Sequence, residues 1–197
     1  MEFKNMLTKE EFTIIKNHFQ LKPENFIEQK NFYFDTPLLN LAAKKSALRI
    51  RIKNHSYELT LKQPHPDGLL ETNIALNEKE AIAFIHGNRF PTQADEMKEM
   101  ITTALSVNTS ELVCIGVLTT NRSEFPYKDG MIALDHSRYL GVEDYEVEYE
   151  VQNKKKGIEH FDALLNHLNI EKKPAKNKIK RFFVEKERQK SKSFGKM

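Results

Sequence analysis

Short alternations of apolar and polar residues recur along the chain and predict β-strands. Residues 47–53 read ALRIRIK, residues 57–63 read YELTLKQ, and residues 144–151 read DYEVEYEV. In each segment every second side chain is apolar, which is typical of a strand with one face on a core. Five further strands are expected at residues 2–4, 31–37, 70–76, 111–125 and 131–141.

Other stretches show apolar residues at helical spacing. Thr8 and Glu11 form a capping-box pattern before Phe12, and Asn77 precedes a second helix that Gly87 can end. Further helices are expected at residues 93–105, 158–168 and 175–189. Residues 190–197 lack apolar spacing, so we expect a mobile tail after a single domain of residues 1–189. The strands and flanking helices together predict an α+β fold.

Composition narrows the class of protein. The chain has 197 residues, 30% of them charged, and a net charge of +3. No apolar run is long enough to cross a membrane, and the N-terminal residues lack a signal-peptide core, so a cytoplasmic location is expected. Cys114 is the only cysteine and lies in an apolar strand, which favours a core position. The small net charge argues against a nucleic-acid partner.

The polar face of the predicted strands carries ionisable residues two apart. They include Arg49 with Arg51, and Glu146 with Glu148 and Glu150. An ordinary sheet with one face in water would explain each strand singly. Three glutamates on one strand face repel each other, however, so a closed sheet with cations opposite them is the alternative. Such a lumen would suit a polyphosphate held by Arg and Lys, with a divalent metal bridging it to the carboxylates.

In order and spacing, these residues resemble the CYTH domain of the triphosphate tunnel metalloenzymes from Glu2 to about Phe183. The resemblance rests on short motifs: the end of an ExExK signature at Glu2 and Lys4, then FDTP…ALRIR, LTLK, TTNR, ALD, EVEYE and KIKR. It implies a closed eight-stranded antiparallel β-barrel with flanking helices. It also implies hydrolysis of a triphosphate that depends on Mg²⁺ or Mn²⁺, or cyclisation of ATP in a minority of members.

The resemblance also implies roles for individual residues. Lys4 and Glu148 would act in catalysis, Lys4 by orienting the attacking water or offsetting phosphate charge. The implied phosphate-binding residues are Arg49, Arg51, Lys62, Arg122, Lys178 and Arg181. The implied metal ligands are Glu2, Glu71, Asp135, Glu146, Glu148 and Glu150. The substrate would be inorganic triphosphate or an organic one such as thiamine triphosphate.

Three questions stay open at this point. Met1 occupies the position between the two glutamates of ExExK, so either the start codon is assigned too late, which we favour, or a ligand has been lost. A non-catalytic module that senses polyphosphate or nucleotide is the main alternative to an enzyme. If Glu148 is a metal ligand, Glu148→Gln should spare or slightly raise stability. If it only pairs with Arg49 and Arg51, the same change should destabilise the protein.

Overall fold

The computed structural model describes residues 1–66 and 68–194. The strands are β1 (Glu2–Leu7), β2 (Ile27–Asp35), β3 (Ala47–Lys53), β4 (Ser56–His65), β5 (Gly68–Leu76), β6 (Val113–Tyr127), β7 (Gly130–Tyr139) and β8 (Val142–Val151). The helices are α1 (Lys9–His18), α2 (Asn40–Ala43), α3 (Glu78–Gly87), α4 (Asp95–Glu99), α5 (Lys154–His167) and α6 (Lys178–Phe194). All eight expected strands are therefore present among the described residues.

The strands form one sheet in the order β1-β8-β7-β6-β2-β3-β4-β5. The pairs β1/β8, β7/β8, β2/β3, β3/β4 and β4/β5 are antiparallel. β1 and β5 are the two ends of this order, and closure would require them to hydrogen-bond to each other. The sheet of the described residues is therefore not closed, and the expectation is confirmed only as an antiparallel sheet with flanking helices.

The chain divides into two compact units, and the expected single domain of residues 1–189 stays a prediction. The first unit comprises Met1–Glu28 and Thr120–Met197, and the second comprises Gln29–Thr119. Each unit has its own apolar core. In the first unit, Ile15 of α1 and Phe161 of α5 pack with apolar residues of β7 and β8. In the second, Phe84 of α3 stacks on Phe34 of β2, with 4.1 Å between the ring centroids.

Local sequence signals explain where the helices begin and end. The Thr8 hydroxyl accepts from the backbone N–H of Glu11, and the Glu11 carboxylate accepts from that of Thr8, so the capping box before α1 is confirmed. The Asn77 side chain caps α3 in the same way by accepting from the N–H of Glu80. α3 ends at Gly87 as expected, although the left-handed residue that follows is Asn88, with φ 51°.

Two helical expectations need correction. The segment expected to be one helix at residues 93–105 is a 3₁₀ turn, then α4, then a π-helical turn at Met100–Ala104. α6 begins at Lys178 rather than at residue 175 and extends to Phe194, beyond the expected end at residue 189; the mobility of residues 190–197 stays a prediction. Residues 195–197 lie outside the described residues.

Helices cover both faces of the sheet in the first unit. α1 and α5 pack on the apolar face, which carries Val147 and Tyr149 of β8. On the opposite face, Phe182 of α6 is fully buried beside Tyr139 of β7. Gln189, two turns further along α6, donates to the backbone carbonyl of Leu140. The polar face of β7 and β8 is therefore covered by α6, and the simple picture of a sheet with one face in water does not hold here.

The close approach of α5 to β8 generates a stability prediction. A Cβ added to Gly157 would lie 2.3 Å from Cγ2 of Val151 and 2.7 Å from Cε2 of Phe3. Overpacking costs about 1–3 kcal/mol, whereas Ala gains up to about 1 kcal/mol over Gly in a helix. We therefore expect Gly157→Ala to lower the free energy of unfolding by about 1–2 kcal/mol in urea denaturation.

Gly87→Ala is the matched control. An added Cβ at this position in α3 meets no atom within 4 Å. The free energy of unfolding should then be unchanged or slightly higher. Equal effects of the two substitutions would contradict the close packing of α5 on β8.

Candidate active site

A cluster of buried charges lies on the polar face of the sheet in the first unit. It contains four carboxylates and four cations, which we call the charge cluster: Asp135, Asp144, Glu146, Glu148, Lys4, Arg122, Lys178 and Arg181. Asp135 and Glu146 have no exposed surface, and Glu148 is only 5% exposed. Carboxylates are rarely buried this deeply unless they are paired.

Strand register brings the carboxylates together. Asp135 of β7 lies opposite Glu146 of β8, and Lys4 of β1 lies opposite Glu148. Because side chains alternate along a strand, Glu146 and Glu148 share a face while Val147 enters the core. The expected convergence of Lys4, Asp135, Glu146 and Glu148 on one face is thus present in the first unit.

Lys178, in the first turn of α6, places its ammonium group among three carboxylates. Its Nζ lies 2.7 Å from Asp135 Oδ2, 2.8 Å from Glu146 Oε2 and 2.9 Å from Glu148 Oε1. An ammonium group has three hydrogens to donate. In the structure, therefore, the residue expected to bind phosphate is bound to carboxylates instead.

The two arginines of the cluster each bridge two carboxylates. Arg122 of β6 binds both oxygens of Asp135 at 2.6–2.7 Å and reaches Glu148 at 2.6 Å. Arg181 of α6 binds Asp144 at 2.8 Å and Glu146 at 2.7 Å. These planar, multiply bonded groups fix the geometry more firmly than a single ion pair would.

Asp144 is the member of the cluster that our sequence reasoning did not select. It accepts from Arg181 and, at 2.8 Å, from the hydroxyl of Tyr139. Asp144 lies two residues before Glu146 and therefore on the same face of β8 as the selected glutamates, so the alternation along this strand could have identified it. Glu150 has that parity as well but is exposed, because it lies near the end of β8.

The surrounding charges determine the protonation states. Burial raises the pKa of Glu148, but Lys178, Arg122 and Lys4 lower it more, and the net result is a pKa far below its ordinary value. Burial lowers the pKa of Lys178, but Asp135, Glu148 and Glu146 raise it further, so the net shift is upward. Both groups are therefore charged at neutral pH.

Lys4 lies at the edge of the cluster. Its Nζ is 2.8 Å from Glu148 Oε1 and 3.1 Å from Glu2 Oε2. Burial lowers the pKa of Lys4, and the carboxylates, chiefly Glu148, raise it above its ordinary value. Burial and the nearby Glu148 raise the pKa of Glu2, whose side chain is 44% exposed. Lys4 is therefore a hydrogen-bond donor at neutral pH rather than a base.

The chemistry of the cluster fits a divalent metal. Ligand oxygens of Asp135, Glu146 and Glu148 lie within 4.8 Å of one another, and carboxylate oxygens are the ligands that Mg²⁺ and Mn²⁺ prefer. Oε1 of Glu146 is buried and has no hydrogen-bond partner among the described residues, so one lone-pair site remains available. Of the other expected ligands, Glu2, Glu71 and Glu150 lie outside this group of three.

The second unit holds a separate set of basic residues. Arg49 and Arg51 share one face of β3. Ala47, the first residue of β3, lies opposite Lys62 of β4. Lys62 forms a hydrogen-bonded ion pair with Glu71 of β5, and Arg51 lies 3.9 Å from Glu58. Within this unit, Glu71 is thus paired with a cation.

The basic set has an excess of positive charge. Burial and then Arg49 lower the pKa of Lys62, and the opposing effect of Glu71 does not cancel them. Nε of Arg49 is buried without a hydrogen-bond partner among the described residues. An anion placed here would be attracted by the excess positive charge and would accept hydrogen bonds from these residues, which suits their expected role in binding phosphate.

The ion pairs of Glu148 generate a stability prediction. Glu148→Gln keeps the shape of the side chain but removes the charge that Lys4, Arg122 and Lys178 share. We expect the free energy of unfolding in metal-free buffer at pH 7 to fall by about 3 kcal/mol. The cationic surroundings of Glu148 thus reverse our expectation that loss of this charge relieves repulsion. Glu150→Gln, on the exposed end of the same strand, should change stability by less than about 0.5 kcal/mol.

The same substitution has a distinct pH dependence. Because the folded-state pKa of Glu148 is depressed, its charge stabilises the native state fully above its ordinary pKa of 4.5, and this contribution is lost as pH falls below it. The stability difference between wild type and Glu148→Gln should therefore be constant near neutral pH and shrink below about pH 4.5. Urea denaturation over a pH series measures it, and a difference that grows on acidification would contradict the ion pairs.

Comparisons with known proteins identify the family of this chain. The family model described as "CYTH domain" matches residues 1–183. YjbK of Bacillus subtilis, a protein provisionally named a triphosphatase, is 44% identical over 186 residues, covering 94% of this chain and 95% of YjbK.

Two solved structures have a similar fold. A protein from Bacillus halodurans, provisionally named an adenylate cyclase, is 40% identical with a TM-score of 0.84, covering 92% of this chain and 96% of its own. A protein from Hippeastrum, described as an adenylyl cyclase candidate with a dominant triphosphatase activity, has a TM-score of 0.76 over 93% of this chain and 94% of its own. At 19% identity this second likeness concerns the fold alone.

No described helix combines the length and the apolar character needed to cross a membrane. The chain belongs to the CYTH domain family.

Proposed function

We propose that this protein hydrolyses a triphosphate with the help of a divalent metal ion. The substrate is inorganic triphosphate or an organic triphosphate such as thiamine triphosphate. Family membership and 44% identity to a protein provisionally named a triphosphatase support the reaction class. The names given to the relatives, triphosphatase and adenylate cyclase, share a triphosphate substrate and differ in the group that attacks it.

The observation that carries the proposal is the buried group of Asp135, Glu146 and Glu148, surrounded by cations of the same unit. Carboxylates alone would repel a triphosphate, and cations alone would bind it without activating it. A site with both can hold a metal through the carboxylates and phosphate oxygens through the cations. Reactions at phosphorus depend mainly on such positioning and charge stabilisation.

We propose Mg²⁺ or Mn²⁺ as the metal, with Asp135, Glu146 and Glu148 as its central ligands. Glu2, Glu71 and Glu150 are proposed as additional or outer ligands, following the family pattern. When bound, the metal would neutralise charge on the phosphate oxygens and help to activate water.

The basic residues divide between the two units. In the second unit we assign phosphate binding to Arg49, Arg51 and Lys62, whose positive charge is only partly neutralised. In the first unit we assign it to Arg122, Lys178 and Arg181. Arginine suits this role because its planar group donates two parallel hydrogen bonds to phosphate oxygens.

Lys4 acts on the reacting group as a hydrogen-bond donor. Its raised pKa keeps it protonated, so it orients the attacking water or offsets charge on the terminal phosphate rather than accepting a proton. Water attacks the terminal phosphorus in line with the leaving oxygen, and the arginines stabilise the charge that develops on that oxygen. We further propose that the sheet closes around the substrate, that the protein acts in the cytoplasm, and that it has no nucleic-acid partner.

The direct test is release of phosphate from tripolyphosphate, measured with Mg²⁺, with Mn²⁺ and in excess EDTA. We expect turnover only with metal, and a loss of about 100-fold or more for Glu146→Gln because one ligand charge is gone. Glu159→Gln, an exposed change on α5, is the control and should retain wild-type turnover. Glu150→Gln tests the wider ligand set, and a wild-type rate for it would remove Glu150 from that set.

Other outcomes identify the alternatives. Tight tripolyphosphate binding without phosphate release would favour a binding module. Cyclic AMP and pyrophosphate from ATP, without phosphate release, would favour a cyclase. Full turnover in EDTA would contradict the metal-dependent mechanism.

A further inference from the structure

The eight residues of the charge cluster balance one another in charge. Four carboxylates contact four cations, mostly at 2.6–2.9 Å. Two more exposed carboxylates lie at the edge: Glu2 is 3.1 Å from Lys4, and Glu124 is 3.6 Å from Arg122. A divalent cation added to this arrangement would bring two uncompensated positive charges into a buried region. Such a charge is costly unless a cation leaves or an anion arrives.

Lys178 is the cation that a metal would have to replace. Its ammonium group binds one oxygen from each of Asp135, Glu146 and Glu148, the same three residues whose oxygens could hold a metal. A metal ion held by these three carboxylates would lie about 2.0–2.6 Å from its ligand oxygens. Its double positive charge would then stand within a few ångströms of the ammonium group, which lies 2.7–2.9 Å from oxygens of the same carboxylates, and would repel it.

The other cations of the cluster are held differently. Arg122 and Arg181 each bind two carboxylates through rigid, planar groups, and Lys4 contacts Glu148 and Glu2 at the edge. Lysine instead carries a compact charge on a flexible four-carbon stem. Its head group can therefore move while Phe182 and Gln189 keep α6 in place.

We propose that Lys178 is a coupling residue that competes with the metal in the free protein and transfers to a phosphate oxygen when metal and triphosphate bind together. This inference rests on the proposed function. In the free protein the ammonium group excludes metal from the carboxylates. When metal and triphosphate arrive together, a phosphate oxygen accepts the displaced ammonium group of Lys178, so its positive charge keeps a partner. Each ligand therefore raises the affinity for the other.

Binding of Mn²⁺ alone, followed by electron paramagnetic resonance, tests the competition. We expect Lys178→Met to bind Mn²⁺ at least about 10-fold more tightly than wild type, because the competing charge is gone. Lys180→Met is the matched control: it removes the same charge from an exposed position on the same helix and should bind Mn²⁺ as wild type does. Equal or weaker Mn²⁺ binding by Lys178→Met would overturn the proposal.

The transfer to phosphate predicts the opposite change for the substrate. In steady-state hydrolysis of tripolyphosphate at saturating Mg²⁺, Lys178→Met should raise KM at least about 10-fold, because the phosphate has lost its partner. A merely structural lysine would lower the affinity for both ligands or for neither. Tighter Mn²⁺ binding with unchanged KM would overturn the transfer step.

A measurement on wild type covers the case in which Lys178→Met does not fold. Acetylation of lysines by a limiting amount of acetic anhydride, read by mass spectrometry, reports how accessible each amine is. Saturating Mn²⁺ should raise labelling of Lys178 several-fold while Lys180 stays constant. Bound Mn²⁺ with unchanged labelling of Lys178 would overturn the proposal.

The proposed function fails separately. If wild type releases no phosphate from tripolyphosphate with any metal, the hydrolase assignment is wrong, although competition for Mn²⁺ can still be observed. If neither protein binds Mn²⁺ but phosphate is released in EDTA, both the coupling and the metal site are wrong.

Discussion

Balanced burial of charge is the constraint on which the first unit depends. Three carboxylates that are almost fully removed from water, Asp135, Glu146 and Glu148, would repel each other strongly if they were alone. Four cations from β1, β6 and α6 prevent this, and each contacts at least one of the carboxylates. The same ion pairs that permit burial also fix where a metal or a phosphate could enter.

This constraint explains the position of α6. Lys178 and Arg181 lie three residues apart and therefore share one side of the helix, where both reach the carboxylates of β7 and β8. Phe182 and Gln189 extend the contact along the same helix. The helix is thus held by ion pairs to β7 and β8 and by the buried ring of Phe182.

The sequence was enough to predict the strands and helices, and which face of a strand each site residue occupies, because both are local properties of the chain. The alternation in β8 placed Glu146 and Glu148 on one face, and the capping box placed the start of α1. The sequence could not predict the partners of Lys178. Lys178 lies 30 residues from Glu148 along the chain, and no local pattern distinguishes a carboxylate from a phosphate as the group that Lys178 binds. Asp144 was missed for a related reason: its parity was visible, but its partners Arg181 and Tyr139 were not.

The order of synthesis gives the position of α6 a further consequence. Chains emerge from the ribosome N-terminus first, so β7 and β8 appear before Lys178 and Arg181 exist to neutralise them. Until then Arg122 and Lys4 are the cations available to the four carboxylates. The nascent sheet is therefore acidic on the face that α6 later covers, and arrival of the helix completes its neutralisation. Folding of this unit is thus tied to translation of its last described helix.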